Sequence, residues 1–390
     1  MGTYDFVVGI FVGIGLAFVS TTWQTSRIPA VRASYNGNIV HSTVRRNPTQ
    51  TRYLQDVGEQ THVKKLAGYL FFGTIVSAET QIRQLIEEKA FAESPIRFLV
   101  LDLQHVTGID YSAAEAFNRL SRVLYKKDVT LYLSGIQADS ELRESLISVG
   151  LGQEDIDVKM FEDLNSALES SENEYLRTLY MSKQARSTRQ TPTTGYLDVP
   201  RDTRPLSNFS EQLNNSPRGN RLRRSATTAL DQHPSETRYF NMKEPLPLIL
   251  HTFQGLTKYN EDFWFRALKY FEKKEYLQGT ILFHCGEKAK GFYLVEEGIL
   301  RADYELPQGR YFENIVAGTT CGELPFFSET DRTATVLAER NSVCWLLSRG
   351  NWELLRIAEP DIAQELLQVS LKLTSERMSA ITSYVLTTAG

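Results

Sequence analysis

The pattern of apolar and polar positions divides the chain into stretches of different character. Residues 6–26 (FVVGIFVGIGLAFVSTTWQTS) carry no charge, which is typical of a membrane-spanning helix, because a bilayer core requires about 20 mostly apolar residues. Arg27 and Arg32 follow this run, so the positive-inside tendency predicts that the rest of the chain lies in the cytosol. We therefore predict a transmembrane helix at 1–26 and a basic juxtamembrane connector at 27–57. A buried helix of a soluble protein is the alternative.

Between residues 58 and 170, apolar runs of strand length alternate with segments in which apolar residues recur at helical spacing. This alternation predicts an α/β domain whose mostly parallel sheet is covered by helices. The predicted strands are 65–72, 96–103, 129–134 and 158–161, and the predicted helices are 77–91, 113–126 and 140–149.

The composition changes between residues 171 and 240, where Ser, Thr, Asn, Arg and Pro predominate. Large apolar side chains are too few here to offset the entropy lost on ordering, so we predict a disordered linker. Within it, the run RLRRS ending at Ser225 resembles a site for a basophilic kinase, and Ser225 is a candidate phosphorylation site. Phosphorylation would add about −2 charge beside arginines. A solvated basic stretch without such a role is the alternative.

From residue 241 to residue 390, short apolar runs are separated by glycines, which is typical of a small β-barrel or jelly roll. A helical stretch at 261–271 precedes these runs, and helical stretches at 351–355 and 361–385 follow them. The sequence therefore predicts a multidomain protein with one transmembrane helix, an α/β domain, and a β-barrel domain with flanking helices.

The net charge and the spacing of the reactive side chains exclude several classes of function. The formal net charge of −4 gives no general attraction to nucleic acid. The three cysteines have no metal-ligand or redox spacing. The six histidines are scattered, and no catalytic or nucleotide-hydrolysing signature occurs. We therefore predict a protein that is not an enzyme and has no catalytic residues, no metal and no cofactor.

The most informative chemical signal is the run CGELPFFSETDRTATVLA in the predicted barrel. Gly322 allows a ligand to approach the backbone closely. The start of a short helix after it exposes N–H groups that attract anions, and Arg332 offers a planar fork that fits phosphate oxygens. Glu323 can accept hydrogen bonds from vicinal hydroxyl groups. The combination suits a ligand with one phosphate and one sugar.

This run resembles the phosphate-binding cassette of cyclic-nucleotide-binding domains, in which Gly-Glu-Leu precedes Arg-Thr-Ala by seven residues. The preceding run GTILFHCGEKAKGFYLVEEGILRADY is similar to the early barrel strands of that family. The resemblance implies cAMP or cGMP as ligand, with Gly322 and Leu324 in the cassette backbone. It also implies that Arg332 pairs with the cyclic phosphate, Glu323 holds the ribose 2′-hydroxyl, and Thr333 adds a hydroxyl group near the phosphate.

One position departs from the family pattern. The family often has alanine after Gly-Glu-Leu, and its backbone N–H helps to hold the phosphate, whereas Pro325 has no N–H. Losing one charge-assisted hydrogen bond lowers affinity by about 10- to 150-fold. Phe326 and Phe327 are also expected to crowd the pocket. The alternative is a barrel kept as a scaffold, with Arg332 paired to an internal acid.

The run LVLDLQHVTGIDYSAAEAFNRLSRVL resembles the core of a STAS domain. This module is shared by anti-sigma-factor antagonists and by the cytosolic tails of SulP anion transporters. In the antagonists, Asp is followed by Ser-Ser-Gly at a helix start, and one serine is phosphorylated. Asp110 and Ser112 are therefore candidate switch residues, although Tyr111 replaces the first serine. The alternative is that Asp110 or Ser112 caps the helix that follows.

The order of these segments resembles a subgroup of fungal SulP-like permeases. An apolar helix, the connector SRIPAVRAS and a β-strand follow one another in both. The resemblance implies a regulatory tail at the plasma or vacuolar membrane, with the globular domains in the cytosol. A SulP permease has many membrane helices, so the chain reads as a fragment or a separately expressed tail. Its expected partners are the membrane and either the remaining transporter helices or a second copy.

Two other functions stay open at this point. The first is a soluble type of cyclic-nucleotide sensor that acts on a protein partner through its STAS domain. The second is an interaction scaffold whose barrel has lost its ligand. The apolar run at 6–26 favours the transporter tail, because a soluble sensor has no use for it, and Pro325 favours the scaffold.

Overall fold

Two structural units make up the chain. One comprises Met1–Ile39 and Gly58–Ser171, and the other comprises Val40–Val57 and Glu172–Gly390. The predicted connector is therefore divided between the two units. The computed structural model describes residues 2–26, 29–87, 91, 95–152, 156, 158–187, 217–231, 242–307 and 309–389.

The described residues contain both α-helices and β-strands. The helices are α1 Gly2–Ser26, α2 Pro48–Val57, α3 Phe72–Leu85, α4 Tyr111–Lys126, α5 Glu141–Ser148, α6 Leu164–Ser187, α7 Pro217–Asp231, α8 Leu246–Thr252, α9 Glu261–Phe265, α10 Glu323–Phe327, α11 Arg349–Ala358 and α12 Pro360–Ala389. The strands are β1 Val31–Asn36, β2 Thr61–Leu70, β3 Phe98–Ile109, β4 Thr130–Ser134, β5 Val158–Met160, β6 Phe271–Tyr276, β7 Ile281–Phe283, β8 Gly291–Glu297, β9 Ile299–Leu306, β10 Gly309–Val316, β11 Thr320–Cys321, β12 Thr335–Ala338 and β13 Ser342–Ser348.

The first unit contains a five-stranded sheet in the order β1-β2-β3-β4-β5. Strands β2 to β5 are parallel, which confirms the predicted mostly parallel sheet. All residues from Phe98 to Leu103 in the central strand β3 are buried, as expected for a parallel strand covered on both faces. The sequence prediction missed β1, which pairs antiparallel with β2. Its residues VRASYN are only partly buried, so this edge strand lacks a continuous apolar run.

The second unit contains two antiparallel four-stranded sheets, in the orders β10-β9-β12-β7 and β11-β8-β13-β6. This arrangement confirms the predicted jelly roll. Gly298 joins β8 to β9 with φ +87°, and a Cβ there would lie 2.3 Å from the hydroxyl oxygen of Ser342. Only glycine fits this turn.

Helices α8 to α12 pack around an aromatic core on the barrel. Trp264, Phe292, Phe326 and Trp352 are all at most 5% exposed in this core. The helix predicted at 261–271 ends at Phe265, because Phe271 already begins strand β6 and packs in the same core.

Two helices lie in the range predicted as a disordered linker. Helix α6 extends to Ser187 and helix α7 covers Pro217–Asp231, so the linker prediction does not hold at these positions. Helix α7 forms because Leu222, Ala226 and Ala229 make a buried stripe, and this helix packs against α2. Residues 188–216 and 232–241 of the predicted linker lie outside the described residues.

The apolar N-terminal run is helical as α1, and the side chains described for it are exposed. Among the described residues, however, none of the helices combines the length and apolar character needed to cross a membrane. The prediction of a transmembrane helix at 1–26 is therefore not supported. The apolar residues from Phe6 to Val19 give way to Ser20, Thr21 and Thr22, whereas a membrane span needs about 20 mostly apolar residues.

Candidate functional site

The predicted cassette lies between β11 and β12 in the barrel. Gly322 precedes the short helix α10 and adopts the left-handed conformation with φ +78°. A Cβ at this position would lie 2.3 Å from Nη1 of Arg332. Both the backbone conformation and the close approach of the guanidinium therefore require glycine, so the structure brings together the two ends of the predicted motif.

Arg332 is turned towards the backbone of the barrel. The residue is only 4% exposed, and its Nη1 donates to the carbonyl oxygen of Gly322 at 2.9 Å. Its Nη2 donates to the carbonyl oxygen of Gly291, and the guanidinium carbon lies 3.8 Å from the ring centre of Phe283. Burial lowers the pKa of Arg332. Two of the guanidinium N–H donors thus bond to carbonyl oxygens. The scaffold alternative had instead predicted an internal acid as the partner of Arg332.

Glu323, the residue predicted to hold a ribose, is buried and paired with an arginine of the connector. Nη1 of Arg45 lies 3.2 Å and 3.5 Å from the two carboxylate oxygens of Glu323, and it donates to the carbonyl oxygen of Thr320 at 3.0 Å. Burial alone would raise the pKa of Glu323, but the charges of Arg45 and Arg377 outweigh it and hold the pKa below its ordinary value. The carboxylate is therefore ionised and already has a cationic partner.

A second buried carboxylate, Glu313 on β10, joins this pair. Nε of Arg45 donates to Glu313 at 2.9 Å, and Nη2 of Arg377, from α12, donates to its other oxygen at 2.5 Å. The hydroxyl group of Tyr304 also donates to Glu313, at 3.3 Å. Two glutamates and two arginines thus form one network under the cassette.

The remaining cassette residues have different surroundings. Leu324 is 45% exposed and Thr333 is exposed, so neither side chain is part of the buried network. Pro325 is buried in α10. Phe326 and Phe327 pack against Trp352 in the aromatic core, instead of crowding a ligand pocket as predicted from the sequence.

In the STAS-like unit, Asp110 is the helix cap. Its carboxylate accepts a hydrogen bond from the backbone N–H of Ala113 at 2.7 Å, which satisfies one of the free donors at the start of α4. Ser112 is exposed in the first turn, and Tyr111 beside it is 71% exposed. The capping alternative is thus observed for Asp110, and a switch at Ser112 stays a prediction.

Ser225 lies on α7 and is half-buried. Its neighbours Leu222 and Ala226 belong to the buried stripe of this helix. Phosphorylation at Ser225 stays a prediction. The described residues contain no cluster of three or more His, Cys, Asp or Glu that could hold a metal ion.

Sequence reasoning missed the other members of the network around Glu323. Arg45, Glu313 and Arg377 lie in three separate segments of the chain, the connector, a barrel strand and the last helix. Their contacts join residues far apart in sequence, such as Arg45 and Glu313. The available signal was the adjacent pair Arg45 and Arg46 in the basic connector, and it does not specify a partner.

The pKa of Glu323 predicts a dependence of stability on pH. Because the folded-state pKa is lower than the ordinary value of 4.5, the stabilisation is present above that value and is lost as the pH falls through the folded-state pKa. We expect the urea midpoint of the barrel unit to fall as the pH is lowered below about 4.5, and Glu323→Gln to weaken this fall. If the urea midpoint of Glu323→Gln fell with pH as steeply as that of the wild type, this assignment would be contradicted.

Comparisons with known proteins agree with both domains. Residues 273–356 match the family described as cyclic nucleotide-binding domain, and residues 56–167 match the family described as STAS domain. The chain therefore contains a STAS domain and a cyclic-nucleotide-binding domain.

One curated relative aligns along the whole chain. The chain is 29% identical over 433 residues to the vacuolar basic amino acid transporter VSB1 of Saccharomyces cerevisiae, covering 100% of this chain and 41% of that protein. The chain thus spans less than half the length of this relative. It is also 28% identical over 102 residues to an uncharacterized NTE family protein of Mycobacterium tuberculosis, covering 26% of this chain and 17% of that one. Two domains of these kinds and similarity to a transporter fit a regulatory region of a transporter.

Solved structures similar to the chain include bacterial cyclic-nucleotide-binding proteins. A cyclic nucleotide-binding domain from Methylobacillus flagellatus is 19% identical, with a TM-score of 0.33, covering 36% of this chain and 80% of that one. The catabolite activator protein of Thermus thermophilus is 25% identical, with a TM-score of 0.29, covering 35% of this chain and 62% of that one.

Proposed function

We propose that this chain is the cytosolic regulatory region of a SulP-type membrane transporter, and that its role is regulatory binding without catalysis. The observation that carries the proposal is the alignment of the whole chain with a vacuolar basic amino acid transporter. The sequence order of apolar helix, connector and STAS domain supports the SulP type. On this proposal the transported solutes are basic amino acids, the class named for the relative.

Membrane association is part of the same proposal. The side chains of Phe6, Phe11 and Phe18 on α1 are each at least 69% exposed. Exposed apolar surface of this kind marks a site of contact with a membrane or another protein. The lipid, the remaining helices of the transporter or a second copy of the chain would cover it. The relative's name favours the vacuolar membrane over the plasma membrane.

Sensing of cAMP or cGMP is the second candidate function. The match of residues 273–356 to the nucleotide-binding family favours it, as does the presence of Gly322, Glu323 and Arg332. Three features of the barrel oppose it. Pro325 lacks a backbone N–H, Arg332 donates to carbonyl oxygens, and Arg45 is paired with Glu323. We therefore place regulation through protein contacts ahead of nucleotide sensing.

An exchange of segments in the yeast relative tests the proposal. The segment of that transporter aligned with this chain would be deleted, or replaced by this chain, and the uptake of labelled arginine into isolated vacuoles would be measured. We expect the deletion to reduce uptake and the replacement to restore it. Unchanged uptake after deletion, or no restoration by a stably expressed chimera, would contradict the proposal.

Two substitutions serve as matched variants of the chimera. Glu313→Ala removes the buried carboxylate between two arginines and is expected to abolish restoration. Glu353→Ala removes only an exposed helix pair with Arg356 and is expected to preserve it. Equal uptake by the two variants would show that the barrel has no part in the regulation.

A further inference from the structure

The segment Val40–Val57, called here the barrel connector, belongs to the same unit as the barrel. The backbone N–H of Arg45 donates to the carbonyl oxygen of Asn314 at 2.9 Å, and the N–H of Val316 donates back to the carbonyl oxygen of Arg45 at 3.2 Å. These bonds form a parallel bridge to Ile315 at the end of β10. Strand β10 is the edge of its sheet, so the barrel connector adds backbone hydrogen bonds to an otherwise open edge.

The side chain of Arg45 fills a site made by two carboxylates. Its side chain is 13% exposed, while those of Glu313 and Glu323 are 1% and 4% exposed. Nε bonds Glu313 and Nη1 bonds Glu323. A planar group with several N–H donors fits such a pair of acceptors, whereas an ammonium ion offers only one charged centre. The two carboxylates are therefore placed to accept from different N–H groups of one guanidinium.

Both flanks of Arg45 are fixed in the same unit. Nε of Arg46 donates to Glu172 at 3.0 Å, and the backbone N–H of Ser42 donates to the other oxygen of Glu172 at 2.7 Å. Further along, α2 buries Tyr53, Leu54 and Val57 and packs against α7. The connector is thus held on each side of the residue that enters the barrel.

We propose that Glu313 and Glu323 form a guanidinium-binding site whose built-in ligand is Arg45, so that the connector occupies the cassette carboxylate in place of a sugar. Both oxygens of Glu323 face Nη1 of Arg45, so a ribose hydroxyl would compete with this ion pair for the same acceptor oxygens. The inference goes beyond the proposed function and does not depend on it. It assigns to the barrel a ligand of a different chemical class from a nucleotide.

Chemical rescue of Arg45→Ala tests this site. The variant removes the guanidinium of Arg45 and leaves a space beside Glu323 and Glu313, of which Glu313 still contacts Arg377. Ethylguanidinium is the probe. We expect a lower melting temperature for the variant in buffer. Ethylguanidinium at roughly ten times its Kd should raise that temperature by about 3–6 °C in a saturable manner. The wild type should show no such rise, because its site is occupied.

Two controls separate a site from a general salt effect. Tetramethylammonium at the same concentration has the same charge and no N–H donors, and it should not rescue Arg45→Ala. Arg301→Ala removes a partly exposed pair with Asp303 and should not respond to ethylguanidinium. Equal responses of wild type and Arg45→Ala to ethylguanidinium would overturn the proposal, and so would rescue by tetramethylammonium.

A second variant covers the case in which Arg45→Ala does not fold. Arg45→Lys keeps the charge but cannot bond both carboxylates with a planar fork. We expect amide hydrogen exchange at residues 45 and 316 to become at least tenfold faster than in the wild type. Unchanged exchange would overturn the proposal. Neither measurement involves transport. Failure of the guanidinium-site proposal is therefore distinguishable from failure of the segment exchange in yeast.

Discussion

Replacing Glu313 by alanine is expected to lower the free energy of unfolding of the barrel unit by about 3–5 kcal/mol. Glu313 is 1% exposed and contacts both Arg45 and Arg377. Its removal leaves two arginines beside the barrel with one remaining acid, Glu323, and desolvated charges without partners are strongly unfavourable. The effect should therefore lie well above that of an average substitution, about 1 kcal/mol.

Urea denaturation at pH 7 measures this loss. Tryptophan fluorescence reports on the barrel unit because Trp264, Trp345 and Trp352 all lie in it. The matched control is Glu353→Ala, which breaks an exposed ion pair with Arg356 and should change the free energy of unfolding by less than about 0.5 kcal/mol. Similar losses in the two variants would mean that the buried network does not stabilise the barrel.

Replacing Phe326 in helix α10 by alanine is also expected to lower the free energy of unfolding of the barrel unit by about 3–5 kcal/mol. Phe326 is fully buried. Its ring centre lies 5.5 Å from that of Phe292 and 6.2 Å from that of Trp352, and the guanidinium of Arg349 lies 4.3 Å above it. Truncation would leave a cavity lined by rigid aromatic rings, which cannot collapse easily.

The neighbouring residue provides the control for this prediction. Leu324 is on the same short helix but is 45% exposed, so Leu324→Ala should cost less than about 1 kcal/mol in the same urea experiment. If Leu324→Ala were the more damaging of the two, the assignment of Phe326 to the core rather than to a ligand pocket would be wrong.

Local chemistry explains which parts of the fold were predictable from the sequence. Gly298 and Gly322 occupy left-handed positions that glycine favours, and this made the barrel recognisable. The run at Phe98–Leu103 predicted a strand covered on both faces because every residue in it except Asp102 is apolar. In both cases the signal lies within a few consecutive residues.

The features that could not be predicted depend on contacts between distant segments. Strand β1 is an edge strand with polar residues, and nothing local distinguishes it from a loop. Helix α7 needs only Leu222, Ala226 and Ala229 to bury its stripe, so its composition still resembles a disordered linker. The pairing of Arg45 with Glu323 joins the connector to the barrel, and no spacing rule links two such positions.

The resemblance to the nucleotide-binding family located the cassette residues but did not determine their partners. Gly322 and Arg332 are in contact, as the motif requires. Glu323 has the position of the ribose-binding carboxylate, yet Arg45 is its partner in this chain. The motif carboxylate thus has a different partner in this chain. A carboxylate that can accept hydrogen bonds from hydroxyl groups can also accept them from a guanidinium.

Calorimetric titration of the full chain with cAMP and with cGMP tests the central claim most directly. If Arg45 occupies the cassette carboxylate in place of a nucleotide, the wild-type chain should give no saturable heat with either nucleotide up to millimolar concentration. Saturable binding at micromolar concentration that is lost in Arg332→Ala would contradict the account.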